Sequence, residues 1–268
     1  MKSYKALQRD RPEWFLNDPD GIEILTAPAL IRRVRRQTRA QAVRQAAGRG
    51  PWRTRWERLK AALRPVPVGV VSADRYFVHL RDAVRFPDGR TGLYNRLLPP
   101  PGSTPGVVVL PLLGPDGGVV LVEHHRHSTR GWHWEVARGF GEADASGKEN
   151  VDRELDEELG TRPTEVIPLG ELHADTGLLA HKVQLCAVRV DRIGDLEKAE
   201  GIRQAITVSP AEAEDMVRNG EITDGFTIAV LYRARLAGLF DAGDNAGDCA
   251  VDSDGDGSGD GAEDDAGT

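Results

Sequence analysis

Glu154, Glu157 and Glu158 stand within five residues of one another, directly behind Arg153, in the run RELDEELG. At helical spacing, i, i+3 and i+4, their side chains fan out from one side of a helix and converge at one spot. Like charges so placed repel and lower stability unless something neutralises them. An oxygen-only cluster of this kind forms a cage suited to a hard divalent cation, Mg²⁺ or Mn²⁺. For an isolated acidic cluster the plain alternative is a solvated helix face.

The element that must position these carboxylates is legible around them. Ser146 and Glu149 have the S-x-x-E spacing of a capping box, and Gly160 sits where a C-terminal glycine belongs. The spacing predicts a helix from about Gly147 to Leu159. Val151, Leu155 and Leu159 fall at i, i+4 and i+8 and supply its core face.

Around this helix the pattern is mostly strand. The stretches VGVVSADRYFVHLRDAVRF, GLYNRLL, VVVLPLL, GVVLVEHHR, TEVIPLGEL, HKVQLCAVRV and IRQAITVS read as β, with FPDGR and GPDGG as turns. PAEAEDMVRNG reads as a short helix capped by Ser209, and TDGFTIAVLYRARLAGLF as a final one. Upstream, Ala29 to Ala47 and Arg53 to Leu63 have helical character, broken by Gly48, Gly50 and Pro51.

Charge divides the 268 residues further. Residues 1–66 hold 16 Lys and Arg against 6 Asp and Glu, whereas residues 241–268 hold 10 acids and no base. The expected organisation is a basic, partly helical extension at 1–66, a β-rich segment at 67–104, a mixed α/β domain at 105–240 and a disordered acidic Gly/Asp tail at 241–268. Within the tail, Asp252 to Glu263 matches the ligand spacing of an EF-hand loop. Gly259 at its eighth position and the absence of flanking amphipathic helices favour a solvated tail. His124, His125 and His127 do not have the spacing of a known ligand set, and on a strand they alternate between faces. Two distant cysteines, Cys186 and Cys249, argue against a disulfide framework or a zinc site. With no apolar leader and no spanning segment, the expectation is a cytoplasmic protein without a membrane partner.

The frame around the glutamates resembles the Nudix hydrolase signature, G-x5-E-x7-R-E-U-x-E-E-x-G-U, where U is apolar. Gly139 begins it, and Arg153, Glu154, Leu155, Glu157, Glu158 and Gly160 fall in register. Ala145 replaces the first Glu and Thr161 the last apolar residue. The resemblance implies an α/β Nudix fold, a mixed β-sheet core sandwiched between helices, preceded by an N-terminal β-rich dimerisation segment. It also implies hydrolysis of a nucleoside diphosphate linked to another moiety. Divalent cations would bridge the carboxylates to the diphosphate and activate water. The implied metal ligands are Glu154, Glu157 and Glu158, completed by a backbone carbonyl at Arg138. With Ala145 in place, Arg153 would pair with Glu149 or Glu157, and Glu142 would stand in for the missing acid.

Over residues 68–238 the chain further resembles the ADP-ribose pyrophosphatase branch, through RDAVRFPDGR, GVVLVEHHRH, WHWEVARGF and VRNGEITDGFTIAVL. That resemblance implies substrate contacts from Arg126 and Glu135, base stacking by Trp134 or Trp132, and a catalytic carboxylate at Glu200, with Glu197 its neighbour. It also implies a homodimer. The proline associated with ADP-ribose would fall near Thr176 and is missing, which leaves nucleotide sugars open. The alternative function is a catalytically weak Nudix domain serving as a nucleotide sensor or a nucleic-acid-associated protein. The basic segment admits a nucleic-acid partner, but no helix-turn-helix or aromatic RNA-binding signature accompanies it.

Overall fold

The computed structural model describes residues 3–47, 53–141, 145–196 and 201–240. The acidic tail, with its EF-hand-like run, lies outside the described residues, as do Glu142, Glu197 and Glu200.

Two sheets organise the described chain. The first contains β1 (Glu23–Ile24), β2 (Gly69–Ala73), β3 (Val78–Arg85) and β4 (Thr91–Leu98). Strand β4 follows β3 along its whole length, and β2 and β1 share the other edge of β3. The helix α1 (Tyr4–Asp10) covers one part of this sheet, with Leu7 buried against Val78, Leu80 and Leu98. Helix α2 (Pro28–Ala47) covers another through Val34, Leu30 and Ile31, which pack near Leu25, Ala83 and Leu93. Helix α3 (Arg53–Leu63) folds back on α2. The basic segment, expected only as a partly helical extension, thus contributes a strand and two helices to the first sheet.

The second sheet is mixed and has seven strands: β5 (Gly106–Leu113), β6 (Gly118–Arg126), β7 (Gly131–Glu135), β8 (Ala137–Gly139), β9 (Glu165–His173), β10 (Lys182–Val190) and β11 (Ile202–Val208). Strands β5 and β6 meet only beside their turn, at Leu112–Val119 and Leu113–Gly118. They then part, and residues 131–139 pair in the gap, β7 with β6 and β8 with β5. Strand β10 runs parallel to β5 and antiparallel to β9.

Alternation along β5 builds two cores. Val107 and Val109 face α4 (Gly147–Leu159), where Val151, Leu155 and Leu159 are buried. Val108, Leu110 and Leu112 face the opposite side, where α5 (Pro210–Arg218) and α6 (Gly225–Leu236) contribute Ala213, Val230 and Leu231. The result is the expected helix–sheet–helix sandwich. The strands β7 and β8 were not read from the sequence, because each is short and they break at Val136.

Candidate active site

Helix α4 carries the carboxylates, and both its ends are fixed. The Ser146 hydroxyl accepts from the Glu149 amide at 3.2 Å, and the Glu149 carboxylate accepts from the Ser146 amide at 2.7 Å. Glu149 is therefore committed to the cap rather than to Arg153. At the other end Gly160 adopts φ 55°, a conformation that costs a side chain energy. Thr161 occupies an apolar signature position and is buried, but its hydroxyl donates to the Arg192 carbonyl at 2.7 Å.

The three glutamates separate into two classes. Glu154 and Glu158 are buried, whereas Glu157 is half exposed at the rim and accepts from Arg153 Nη1 at 3.1 Å. Arg153 also reaches Glu154 at 2.7 Å and the Phe140 carbonyl at 3.0 Å. Among the described residues no three acidic, His or Cys side chains gather closely enough to hold a metal by themselves. Two buried carboxylates at one helical turn replace the three-sided cage, because position 157 points to the solvent edge of the fan.

Glu158 is the most telling of them. It is 5% exposed, and its Oε2 has no hydrogen-bond partner. Burial, and then the charge of Glu154, push its carboxyl up to about 8, against the pull of Arg126, Arg138 and the Arg138 amide. A buried, unpaired acceptor is costly and calls for a partner. A hard cation fits this oxygen pair: Mg²⁺ commonly takes one or two carboxylates and completes its shell with water and substrate phosphate. Gly139 makes room for the arrangement. A methyl group there would overlap the Glu154 carboxylate.

A cavity of about 640 Å³ opens over the pair. Strand β6 sends in His124 and Arg126, and β8 sends in Arg138. Beneath both arginines lies Glu135, 1% exposed. It accepts from Arg126 Nε at 2.8 Å and Nη2 at 2.5 Å, and from Arg138 Nε at 3.1 Å. Arg138 also approaches Asp224, the N-cap of α6, at 3.5 Å, and sits 5.2 Å from the centre of the Phe226 ring. Glu135 thus holds two cations at the cavity wall. It stays buried behind them.

Of the residues singled out in the sequence, the fold brings Arg126, Glu135, Arg138, Glu154 and Glu158 together. Trp134 does not line this cavity; it packs against the core beneath α5 and α6. Trp132 is exposed and stacks edge-on with His125. The aromatic lining comes instead from Tyr76, Phe77, Phe140 and His181, with ring centroids 5.9 to 6.3 Å apart along the cluster. Phe140 adjoins the signature glycine and was findable. Tyr76 and Phe77 arrive from the turn between β2 and β3, which no local pattern announces.

A second cavity, about 520 Å³, lies beside Lys148, Gln184 and Cys186. Its carboxylates Glu165 and Glu171 are paired with Arg189 and Lys182, and burial pushes the Cys186 thiol up to about 12, so it offers no comparable chemistry.

Residues 102–224 match the family model for the NUDIX domain. Among solved structures, the chain is similar to one titled crystal structure of ADP compounds hydrolase. The TM-score is 0.54 at 18% identity, over 66% of this chain and 94% of that one. Comparison with curated proteins gives no match.

Proposed function

We propose that residues 102–224, which match the NUDIX domain model, carry out a divalent-metal-dependent cleavage of a nucleoside diphosphate linked to another moiety. ADP-ribose and nucleotide sugars are the first candidates. The observation that carries this reading is the orphaned Oε2 of buried Glu158, beside Glu154 and beneath a cavity walled by Arg126 and Arg138.

In this reading Glu154 and Glu158 hold Mg²⁺ or Mn²⁺, with the Arg138 carbonyl beside them and Glu157 nearby at the rim. When bound, the cation neutralises the phosphate charge and makes water a better nucleophile. Arg126 and Arg138 attract and orient the diphosphate, and Glu135 keeps their guanidinium groups in place before substrate arrives. The rim of Phe140, Tyr76 and Phe77 offers a base a stacking surface. Glu200 is the proposed acceptor of the proton that the attacking water loses. A homodimer through the N-terminal sheet belongs to the same proposal, and size-exclusion chromatography with light scattering tests it.

The activity test is a screen of the purified protein with Mg²⁺ or Mn²⁺ against ADP-ribose, nucleotide sugars and dinucleotides. A Glu158→Gln variant runs beside it. Cleavage by the parent and none by the variant supports the proposal. No cleavage of any substrate, or equal cleavage by both, overturns it.

A further inference from the structure

Helices α2 and α3 form a hairpin unlike the rest of the molecule in charge. Residues 28–64 contain 12 of the chain's 35 Lys and Arg but one of its 42 Asp and Glu. The remainder is left with 23 cations against 41 carboxylates. Along α2, Arg32, Arg33, Arg36 and Arg39 are exposed, and among the described residues none of them pairs with a carboxylate. The hairpin is not a loose arm. Arg35 donates to the Val68 carbonyl at 3.3 Å, Thr91 Oγ1 bonds to Gln37 at 2.6 Å, and Val34 is 1% exposed.

Helix α3 adds a second feature. Trp56, Leu59 and Leu63 are 62%, 47% and 71% exposed, although three large apolar side chains at i, i+3 and i+7 form one stripe. Cations flank it: Lys60 lies 5.5 Å from the centre of the Trp56 ring, and Arg55 and Arg64 are exposed on either side. A helix with an exposed Trp/Leu stripe bordered by Lys and Arg has the build of an interfacial helix.

We propose that the α2–α3 hairpin docks on the surface of an anionic lipid bilayer. The leucines enter the boundary of the acyl chains, Trp56 lies at the headgroup level, and the flanking cations meet lipid phosphates. Charge selects this occupant. A second copy of the chain would bring an equally cationic hairpin against the first, and repulsion opposes that contact. A nucleic acid would satisfy the arginines, but its phosphates gain nothing from Leu59 and Leu63. The acidic remainder of the chain is repelled by the same surface, so the molecule is oriented with its hairpin down. This is peripheral docking, distinct from spanning: no helix among the described residues is long and apolar enough to cross a membrane.

The test is co-sedimentation of the full chain with phosphatidylcholine vesicles, with and without roughly 30 mol% phosphatidylserine, over a salt series. Binding is expected only with the anionic lipid and should weaken as salt rises. Two variants separate the terms. Leu59→Ser/Leu63→Ser keeps every charge and should lower vesicle affinity about tenfold. Arg32→Glu/Arg36→Glu should abolish it. Circular dichroism melts confirm that both variants fold. The proposal is overturned if the chain ignores anionic vesicles, or if the serine variant binds them as the parent does. It also fails if a single-stranded RNA or duplex DNA oligonucleotide is bound in preference to the vesicles, or if the serine variant converts an oligomer to a monomer.

Discussion

Asp82 and Glu158 are both buried carboxylates in β-rich surroundings, and the fold treats them oppositely. Asp82 in β3 is 1% exposed and accepts from the Tyr4 hydroxyl at 2.5 Å and from Arg96 Nε at 2.6 Å. Burial, with Asp82 beside it, pushes the Tyr4 hydroxyl well above its ordinary range, so Tyr4 remains a donor. Glu158 has two arginines nearby, yet those guanidinium groups are turned to Glu135, and its Oε2 is left without a partner. A carboxylate neutralised within the fold stabilises it. One held apart from its neighbouring cations costs stability until something else arrives. The Asp82 carboxylate is therefore matched within its own sheet, whereas that of Glu158 keeps an open acceptor.

The sharpest way to break this contrast is to remove each charge in turn. Glu158→Gln should lower the hydrolytic rate on the order of 10³-fold, several kcal/mol of lost charge stabilisation. In metal-free protein its folding stability near neutral pH should hold or rise, because the amide has no proton to take up on burial. Asp82→Asn should do the reverse. It leaves half-buried Arg96 without its counter-charge and should cost about 2 kcal/mol in a urea melt. Its kcat should stay within about twofold of the parent, because Asp82 lies in the other sheet and lines no part of the cavity. Equal losses of activity and stability in both variants would erase the distinction.

The same contrast has a pH signature in metal-free protein. Glu158 titrates near its ordinary 4.5 when unfolded and at about 8 when folded. The folded state therefore binds the proton more tightly. Stability from this group is fully present below about pH 4.5 and is lost as pH rises through about 8. Urea melts in a chelating buffer should lose on the order of 5 kcal/mol over that window. Glu158→Gln should flatten the slope, and Mg²⁺ should restore stability at the alkaline end.

What the sequence disclosed about this site follows from range. Helix α4 was legible because its cap, its apolar stripe and its glutamates all obey one local period. Strands with a long β-branched or apolar run, such as β5 and β10, were legible from that run alone. The partition of the glutamates follows from the same helical period: at about 100° per residue, 154 and 158 flank the stripe of Val151, Leu155 and Leu159, and 157 lies opposite it. The clamp of Arg126 and Arg138 on Glu135 joins strands through a pairing that the sequence does not state. Asp224 comes to it from 86 residues away. The Trp134 reading failed because an aromatic residue on a strand of unknown facing suits a core as well as a cavity.

A smaller perturbation asks whether the space beside Glu154 matters as much as its charge. Gly139→Ala places a methyl group where the Glu154 carboxylate lies. The side chain is long enough to swing aside, so folding should lose less than about 1 kcal/mol. The displaced oxygen no longer shares a site with Glu158, and activity should fall on the order of 30-fold. Raising Mg²⁺ should recover part of it, because the defect is in ligand position. A full loss of folding would instead make Gly139 a packing residue.

Ala145→Glu should have the smallest effect, and it bears on the role of Arg153. The Nudix signature places an acid at position 145, where a partner for Arg153 would be expected. In this chain Arg153 already bonds to Glu157, Glu154 and the Phe140 carbonyl, so its charge and its direction are fixed without that acid. Ala145 itself is half-buried just before the Ser146 cap. A glutamate there competes for a guanidinium that has no vacancy, and kcat/KM should change less than about threefold. Its thermal midpoint should move little for the same reason. A large gain in activity would mean that Glu154, released from Arg153 by the new acid, becomes the better ligand. Arg153 would then be restraining the carboxylate pair rather than positioning it.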